Sequence, residues 1–274
     1  MIKLVSTVLF LLTTSLPAKM SSQEPLPLDM APCSVDDSFR GCKKDMENLV
    51  MKKYIEYEKI NTLGFKAAWE NALDKCVNKS GLNNKQCAAI YLYTQDKSQN
   101  PNCSYIQFRE ACSEGLEEYK AGKFKFYTLY FFLTDAIQRL RPKIYRIFPI
   151  TSYRRTNLNF TAVTLKQKIR FGSFTSTSLD IGLKHFGNVS CFQIKTRHGA
   201  KVQKYSALGH EKEVLIPPYE VFRITAIRKI ETEKNLWCSV VYELKSAGTL
   251  SNLQCKIPKK TYIMRSYLLV LNVL

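Results

Sequence analysis

The stretch Tyr127-Thr128-Leu129-Tyr130-Phe131-Phe132-Leu133-Thr134-Asp135-Ala136-Ile137-Gln138-Arg139-Leu140-Arg141-Pro142 is where the chain changes character. Tyr127, Phe131, Ala136 and Leu140 recur at helical intervals, which predicts a helix with a packed face. Arg141-Pro142 ends it, because the residue before a proline is pushed out of the α region. Upstream, residues 46–60, 63–76, 85–93, 105–119 and 125–141 carry apolar side chains at the same spacing and predict helices. Downstream, residues 145–153, 169–175, 190–196, 213–216, 219–227 and 236–244 are short β-rich runs between turn residues. Helices followed by a succession of strands predict an α+β chain whose second half is a sandwich or half-open barrel.

The chain has 274 residues, of which 45% are hydrophobic, with 15 Tyr and 15 Phe. That is enough apolar material for one large domain or two small ones, and it argues against disorder. Residues 1–18 read as a secretory signal peptide: Lys3 is the basic start, Val5 to Leu16 is mostly apolar, and Pro17-Ala18 is a small-residue cleavage region. The apolar run is shorter than the roughly 18 to 20 residues a membrane span needs, so no transmembrane segment is expected.

An oxidising compartment makes disulfides the default for the nine cysteines. They contain no C-x-x-C pair, and with only His185, His198 and His210 available no metal-ligand spacing emerges. Nine is odd, so at least one thiol is free or pairs between chains. Glycosylation triplets begin at Asn78, Asn102, Asn159 and Asn188 and fit a secreted glycoprotein. The formal net charge is +18, and between Lys120 and Arg170 twelve Lys or Arg face the single acid Asp135. A basic region of this kind attracts anionic surfaces or phosphorylated small molecules. No aromatic RNA-binding motif accompanies it, so a specific nucleic-acid function is not expected.

Three pieces of the second half carry chemistry. Tyr153-Arg154-Arg155-Thr156 closes one strand, Phe171-Gly172-Ser173-Phe174-Thr175-Ser176-Thr177-Ser178 makes another, and Glu211-Lys212-Glu213 runs into Val214-Leu215-Ile216-Pro217-Pro218. In an extended segment residues i and i+2 point the same way, so Glu211 and Glu213 are expected side by side. Such a pair is either a solvated strand face or a device for a cationic ligand, since neighbouring carboxylates shift each other's pKa. No histidine adjoins the serines in sequence, which leaves a serine nucleophile without a base.

Taken together, these residues resemble the extracellular arginine-specific ADP-ribosyltransferases, whose signature is Arg, Ser and Glu. Asp36-Asp37-Ser38-Phe39-Arg40-Gly41-Cys42 looks like the family's N-terminal cysteine motif, and Leu129 to Ile137 looks like the helix before its β core. The resemblance implies a helical N-terminal subdomain, residues 19–143, packed on a two-sheet β-sandwich NAD-binding core, residues 144–258, with a basic and apolar tail at 259–274. It implies NAD as co-substrate, with NADP an alternative and no metal, and a Cys42 to Cys255 bridge. It also implies catalytic and NAD-binding roles for Arg154, Ser176 and Glu213, with Glu211 receiving the acceptor arginine.

The residue types suit that chemistry. A guanidinium binds a phosphate through two donors in a fixed plane, a hydroxyl can hold a ribose or orient a carboxylate, and a carboxylate stabilises the positive charge left on ribose as nicotinamide departs. A second carboxylate can bind the incoming guanidinium and help remove its proton. Where many relatives have glycine, this chain has Arg155, which would either add a phosphate contact or crowd the nicotinamide. Ala207 and Leu208 stand where relatives often carry aromatics that meet the protein target. The partners expected are NAD and an arginine-containing protein or small guanidine, acted on by a monomer outside the cell. The apolar tail Ser266 to Leu274 leaves a lipid anchor as the minority reading. The rival functions are NAD hydrolysis, with water as acceptor, and an inactive binding glycoprotein of the same fold.

Overall fold

A computed structural model describes residues 24–77, 79–95 and 105–255. The expected signal peptide, Asn78, the Asn102 triplet, Cys103 and the C-terminal tail lie outside the described residues. Helices fill the first half: α1 Lys43–Leu49 continues through a π-helical turn, Val50–Tyr54, into α2 Ile55–Asn61. Then come α3 Phe65–Asp74, α4 Asn84–Tyr93, α5 Tyr105–Glu114, α6 Leu116–Lys120 and α7 Tyr127–Leu140. A capping box, Asn83 with Gln86, starts α4 by satisfying two otherwise orphaned backbone donors.

Helix α7 organises this half. All its residues from Tyr127 to Ile137 are buried, so it is enclosed by protein on every side, where the sequence periodicity pointed to a single packed face. Its first turn has no side-chain cap from Phe126. Glu58 supplies one from α2, accepting the Thr128 N–H at 3.3 and 3.1 Å through its two carboxylate oxygens. Burial pushes the Glu58 carboxyl up to about 8, against hydrogen bonds from Thr128 and Tyr127 that hold it down. The helix ends at Arg141, in an extended conformation, followed by Pro142.

The aspartates of the N-terminal cysteine motif tie residues 36–37 to Arg170 and to residues 253–255. Asp36 accepts Arg170 Nη1 at 2.6 Å, with both side chains fully buried, and also accepts the Leu253 N–H at 2.9 Å. Three backbone carbonyls, of Met30, Ala31 and Leu250, take further Arg170 donors. Asp37 accepts the N–H of Phe39 and Cys255 and the Tyr119 hydroxyl. Among the described residues Cys42 is bonded to Cys255, Cys76 to Cys87 and Cys191 to Cys238. Cys33 and Cys112 are free thiols.

The second half holds β1 Ile150–Thr156, β2 Lys168–Ile169, β3 Thr175–Ser178, β4 Ser190–Thr196, β5 Ala200–Lys201, β6 Glu213–Ile216, β7 Glu220–Lys229 and β8 Val240–Thr249. The α+β architecture is as expected, but the strands are hydrogen-bonded into one eight-stranded sheet, in the order β2-β7-β8-β4-β1-β3-β6-β5, where two sheets were expected. The physical reason lies at the β1/β3 junction. These strands meet through the single register pair Tyr153↔Ser178, so a five-stranded wing and a three-stranded wing share one narrow seam. The helices pack on the smaller wing, through a core that includes Trp69, Tyr130, Phe174, Val202 and Leu215. The larger wing has its own core around Phe192, Ile194, Phe222 and Leu244.

Strand boundaries differ from the sequence reading where a strand is short or its neighbour irregular. Residues 143–146 form a 3-10 turn before β1. The run expected at 169–175 divides into two-residue β2 and the later β3, and β8 lies four residues beyond the expected start.

Candidate active site

The seam between the wings is where the candidate residues converge. Arg154 lies on β1 opposite Phe192 of β4, and its Nη1 donates to the Ser176 carbonyl oxygen on β3 at 2.7 Å. The guanidinium thus crosses the seam. Glu213 opens β6 in register with Ser178. Ser176 donates its hydroxyl to the Tyr93 oxygen at 3.4 Å, and Tyr93 donates to the Phe174 carbonyl at 2.9 Å. Helix α4 therefore fixes the β3 serine from behind.

Glu213 is a buried carboxylate only partly satisfied. Its side chain sits in a residue 3% exposed, Oε2 accepts the Ser206 hydroxyl at a long 3.4 Å, and Oε1 has no hydrogen-bond partner among the described residues. Burial pushes the carboxyl up to about 7; the Ser176 hydroxyl opposes the shift, the Glu211 charge adds to it, and Ser206 and Arg154 oppose it. An orphaned acceptor in a low-dielectric site is costly unless a ligand donor completes it.

The structure corrects the expected pairing of the glutamates. Glu211 ends a 3-10 turn, Gly209–Glu211, and Lys212 is left-handed at φ +50°, so the strand begins only at Glu213. The Ser178 hydroxyl donates to the Glu211 carbonyl at 2.6 Å and the Leu179 N–H to that of Lys212 at 3.2 Å. These bonds hold the turn against the end of β3. Glu211 is partly exposed and Glu213 enclosed, so the two carboxylates are neighbours in different environments. Partial burial raises the Glu211 carboxyl, while His210 and His185 lower it.

Arg155 is tied to the loops beside β1. Successive residues of β1 face opposite ways, and the Arg155 guanidinium is directed to the carbonyls of Ile181, Gly187 and Trp237 at 2.8, 3.3 and 3.1 Å. It also lies over the Trp237 ring, 4.8 Å from its centroid. Its Nε and Nη1 donors serve loop structure. Ala207 and Leu208 are partly buried, their N–H groups held by the hydroxyls of Thr94 and Ser206. Beside this loop is an open depression of about 530 Å³ lined by Lys201, Gln203, Lys204 and Gly209. The residues missed by sequence reasoning are Tyr93 and Ser206. Tyr93 belongs to a helix distant in sequence, and Ser206 precedes Glu213 in an irregular loop whose course no periodicity reveals.

A protein-family model described as "NAD:arginine ADP-ribosyltransferase" matches residues 28–241. The chain belongs to this family. Among curated relatives of this ADP-ribosyltransferase, ecto-ADP-ribosyltransferase 5 of Homo sapiens is 32% identical over 73% of this chain and 72% of its own length. NAD(P)(+)-arginine ADP-ribosyltransferase 2 of Gallus gallus is 30% identical over 85% of this chain and 73% of its own length. Among solved structures, the eukaryotic mono-ADP-ribosyltransferase ART2.2 superimposes with a TM-score of 0.66 at 27% identity, covering 84% of this chain and 99% of that one. A variant of ART2.2 solved in complex with NAD gives 0.66 at 28% identity, with the same coverage.

Proposed function

We propose that this ADP-ribosyltransferase transfers ADP-ribose from NAD to arginine side chains and releases nicotinamide, with four residues dividing the work. The observation that carries the reading is the orphaned Oε1 of buried Glu213, across the seam from a charged guanidinium. NAD fits such a site because it brings ribose hydroxyls that can donate to a carboxylate and a diphosphate that needs cations. When bound, NAD supplies the ribose–nicotinamide bond that breaks.

Glu213 accepts from ribose and stabilises positive charge developing there as nicotinamide leaves, an effect strengthened by exclusion of water. Arg154 offers its remaining donors to the diphosphate while its Nη1 bond to Ser176 keeps the seam closed. Ser176, its hydroxyl held from behind by Tyr93 at 3.4 Å, lies close enough to Glu213 to oppose its protonation. Glu211, partly exposed at the rim, receives the acceptor guanidinium and takes up a proton as nitrogen attacks. Water in place of the guanidine gives NAD hydrolysis.

The protein works outside the cell, a reading supported by the disulfides and by relatives named as ecto-enzymes. We read it as a secreted monomer of two subdomains, 19–143 and 144–258, whose shared core supports treating them as one unit. The test is incubation of the oxidised, full-length chain with labelled NAD and a small guanidine. Formation of the ADP-ribosylated guanidine with matching nicotinamide release is expected. NAD binding without either product would leave the inactive binding glycoprotein as the better reading.

A further inference from the structure

The turn that replaces the expected strand before β1 presents a face that the protein does not use internally. The Tyr145 N–H bonds to the Pro142 carbonyl at 3.1 Å, and the N–H groups of Ile147 and Phe148 bond to the Ile144 carbonyl at 3.0 and 2.8 Å. Residues 144, 147 and 148 stand at i, i+3 and i+4, the spacing that puts side chains on one face of a helical turn. Ile144 is 51% exposed, and Ile147 and Phe148 are each 67% exposed. Three large apolar side chains held outward together are unlike the scattered exposed leucines of an ordinary surface.

The surroundings are cationic. Lys143 and Arg146 are exposed in the same turn, and neither forms an ion pair among the described residues. Arg141, Arg146 and Arg197 lie near enough to His198 to add to the burial that lowers it to about 4. No acidic residue occurs between Asp135 and Asp180. An apolar face bordered by cations on a short, hydrogen-bonded turn is complementary to an anionic bilayer surface. The apolar side chains enter the boundary of the acyl region, and the cations meet the headgroups.

We infer that the turn at residues 142–148 docks the protein on anionic lipid surfaces through Ile144, Ile147 and Phe148, with Lys143 and Arg146 as headgroup contacts. This does not rest on the catalytic reading, because none of these residues belongs to the seam. The charge complementarity selects a membrane over a second copy of a chain whose own net charge is +18.

The test is sedimentation of the full chain with phosphatidylcholine vesicles, with and without phosphatidylserine. The wild type is compared with an Ile147→Ser/Phe148→Ser variant and a Lys143→Glu/Arg146→Glu variant, each checked by circular dichroism and by nicotinamide release in free solution. The wild type is expected to prefer phosphatidylserine vesicles and to lose binding as salt rises. The serine variant should bind about tenfold more weakly or worse. The glutamate variant should lose the phosphatidylserine preference, at about fivefold for each cation removed. Both variants should keep wild-type activity in solution. Absence of vesicle binding by the wild type, or equal binding by all three proteins, would overturn the inference. So would self-association of the wild type in sedimentation velocity that the serine variant abolishes, since the face would then be a dimer contact, or retention by a purified protein partner without retention by vesicles.

Discussion

Glu213 and Glu220 begin consecutive strands and are both buried, at 3% and 1% exposure, yet they are built for opposite purposes. Glu220 accepts from the Thr196 hydroxyl at 2.5 Å, the Ser246 hydroxyl at 2.6 Å and the N–H groups of Arg197 and His198 at 2.8 and 3.2 Å. Glu213 has one long bond and an orphaned oxygen. Burial raises the carboxyl of each, so burial alone does not distinguish structure from function. What distinguishes them is satisfaction. A carboxylate whose acceptors are all engaged holds loops together, whereas one left incomplete is poised for a ligand at some expense in stability.

The largest expected effect follows from removing the incomplete carboxylate. Glu213→Gln should lower nicotinamide release by about 10²–10³-fold, the range for loss of one preorganised electrostatic group. Its thermal stability should stay at or above wild type. A variant with near-normal turnover would place the catalytic carboxylate elsewhere. Glu220→Ala should do the reverse. It leaves four donors without their acceptor and should cost about 2–4 kcal/mol in denaturant unfolding, while kcat/KM for NAD in the folded fraction stays within a few-fold. A neutral effect on stability would break the comparison from the other side.

Titration gives a finer test. Glu213 acts as a carboxylate, and burial sets it at about 7, so kcat/KM for NAD should rise with pH through an apparent pKa near that value in the free enzyme. Because the Ser176 hydroxyl holds this carboxyl down, Ser176→Ala should move the rising limb to higher pH. An unmoved limb would separate Ser176 from Glu213. The sign for stability is opposite to that for activity. A carboxyl raised on folding favours the folded state below its ordinary value and loses that contribution as pH rises through about 7, so wild type should lose stability across this window relative to Glu213→Gln.

Much of this candidate site is legible in the sequence through the family resemblance, since each of its pieces is weak by itself. Arg154, Ser176 and Glu213 could be named without a fold, and the structure brings them to one seam. The relation of Glu211 to Glu213 was misread, since a left-handed Lys212 leaves no trace in hydrophobic alternation. Arg155 was equally opaque: its partners are carbonyls of the 181–187 loop and of Trp237, which any sequence could supply. Helices were readable from long periodic segments. The two-residue strands β2 and β5 were not, because so short a run has no period, and the single β1/β3 register pair that joins the wings is a property of tertiary pairing. The Asp36 and Asp37 motif is recognisable as a pattern, but its purpose emerges only with Arg170, Leu253 and Cys255 in place.

The central claim is that Glu213 serves bond cleavage and Glu211 serves the acceptor. It is tested most directly by measuring nicotinamide release and transfer to a small guanidine in the same reaction with Glu211→Gln. The account predicts nicotinamide release within a few-fold of wild type, with transfer lost and free ADP-ribose in its place. Equal loss of both products, or transfer retained at the wild-type ratio, would contradict it.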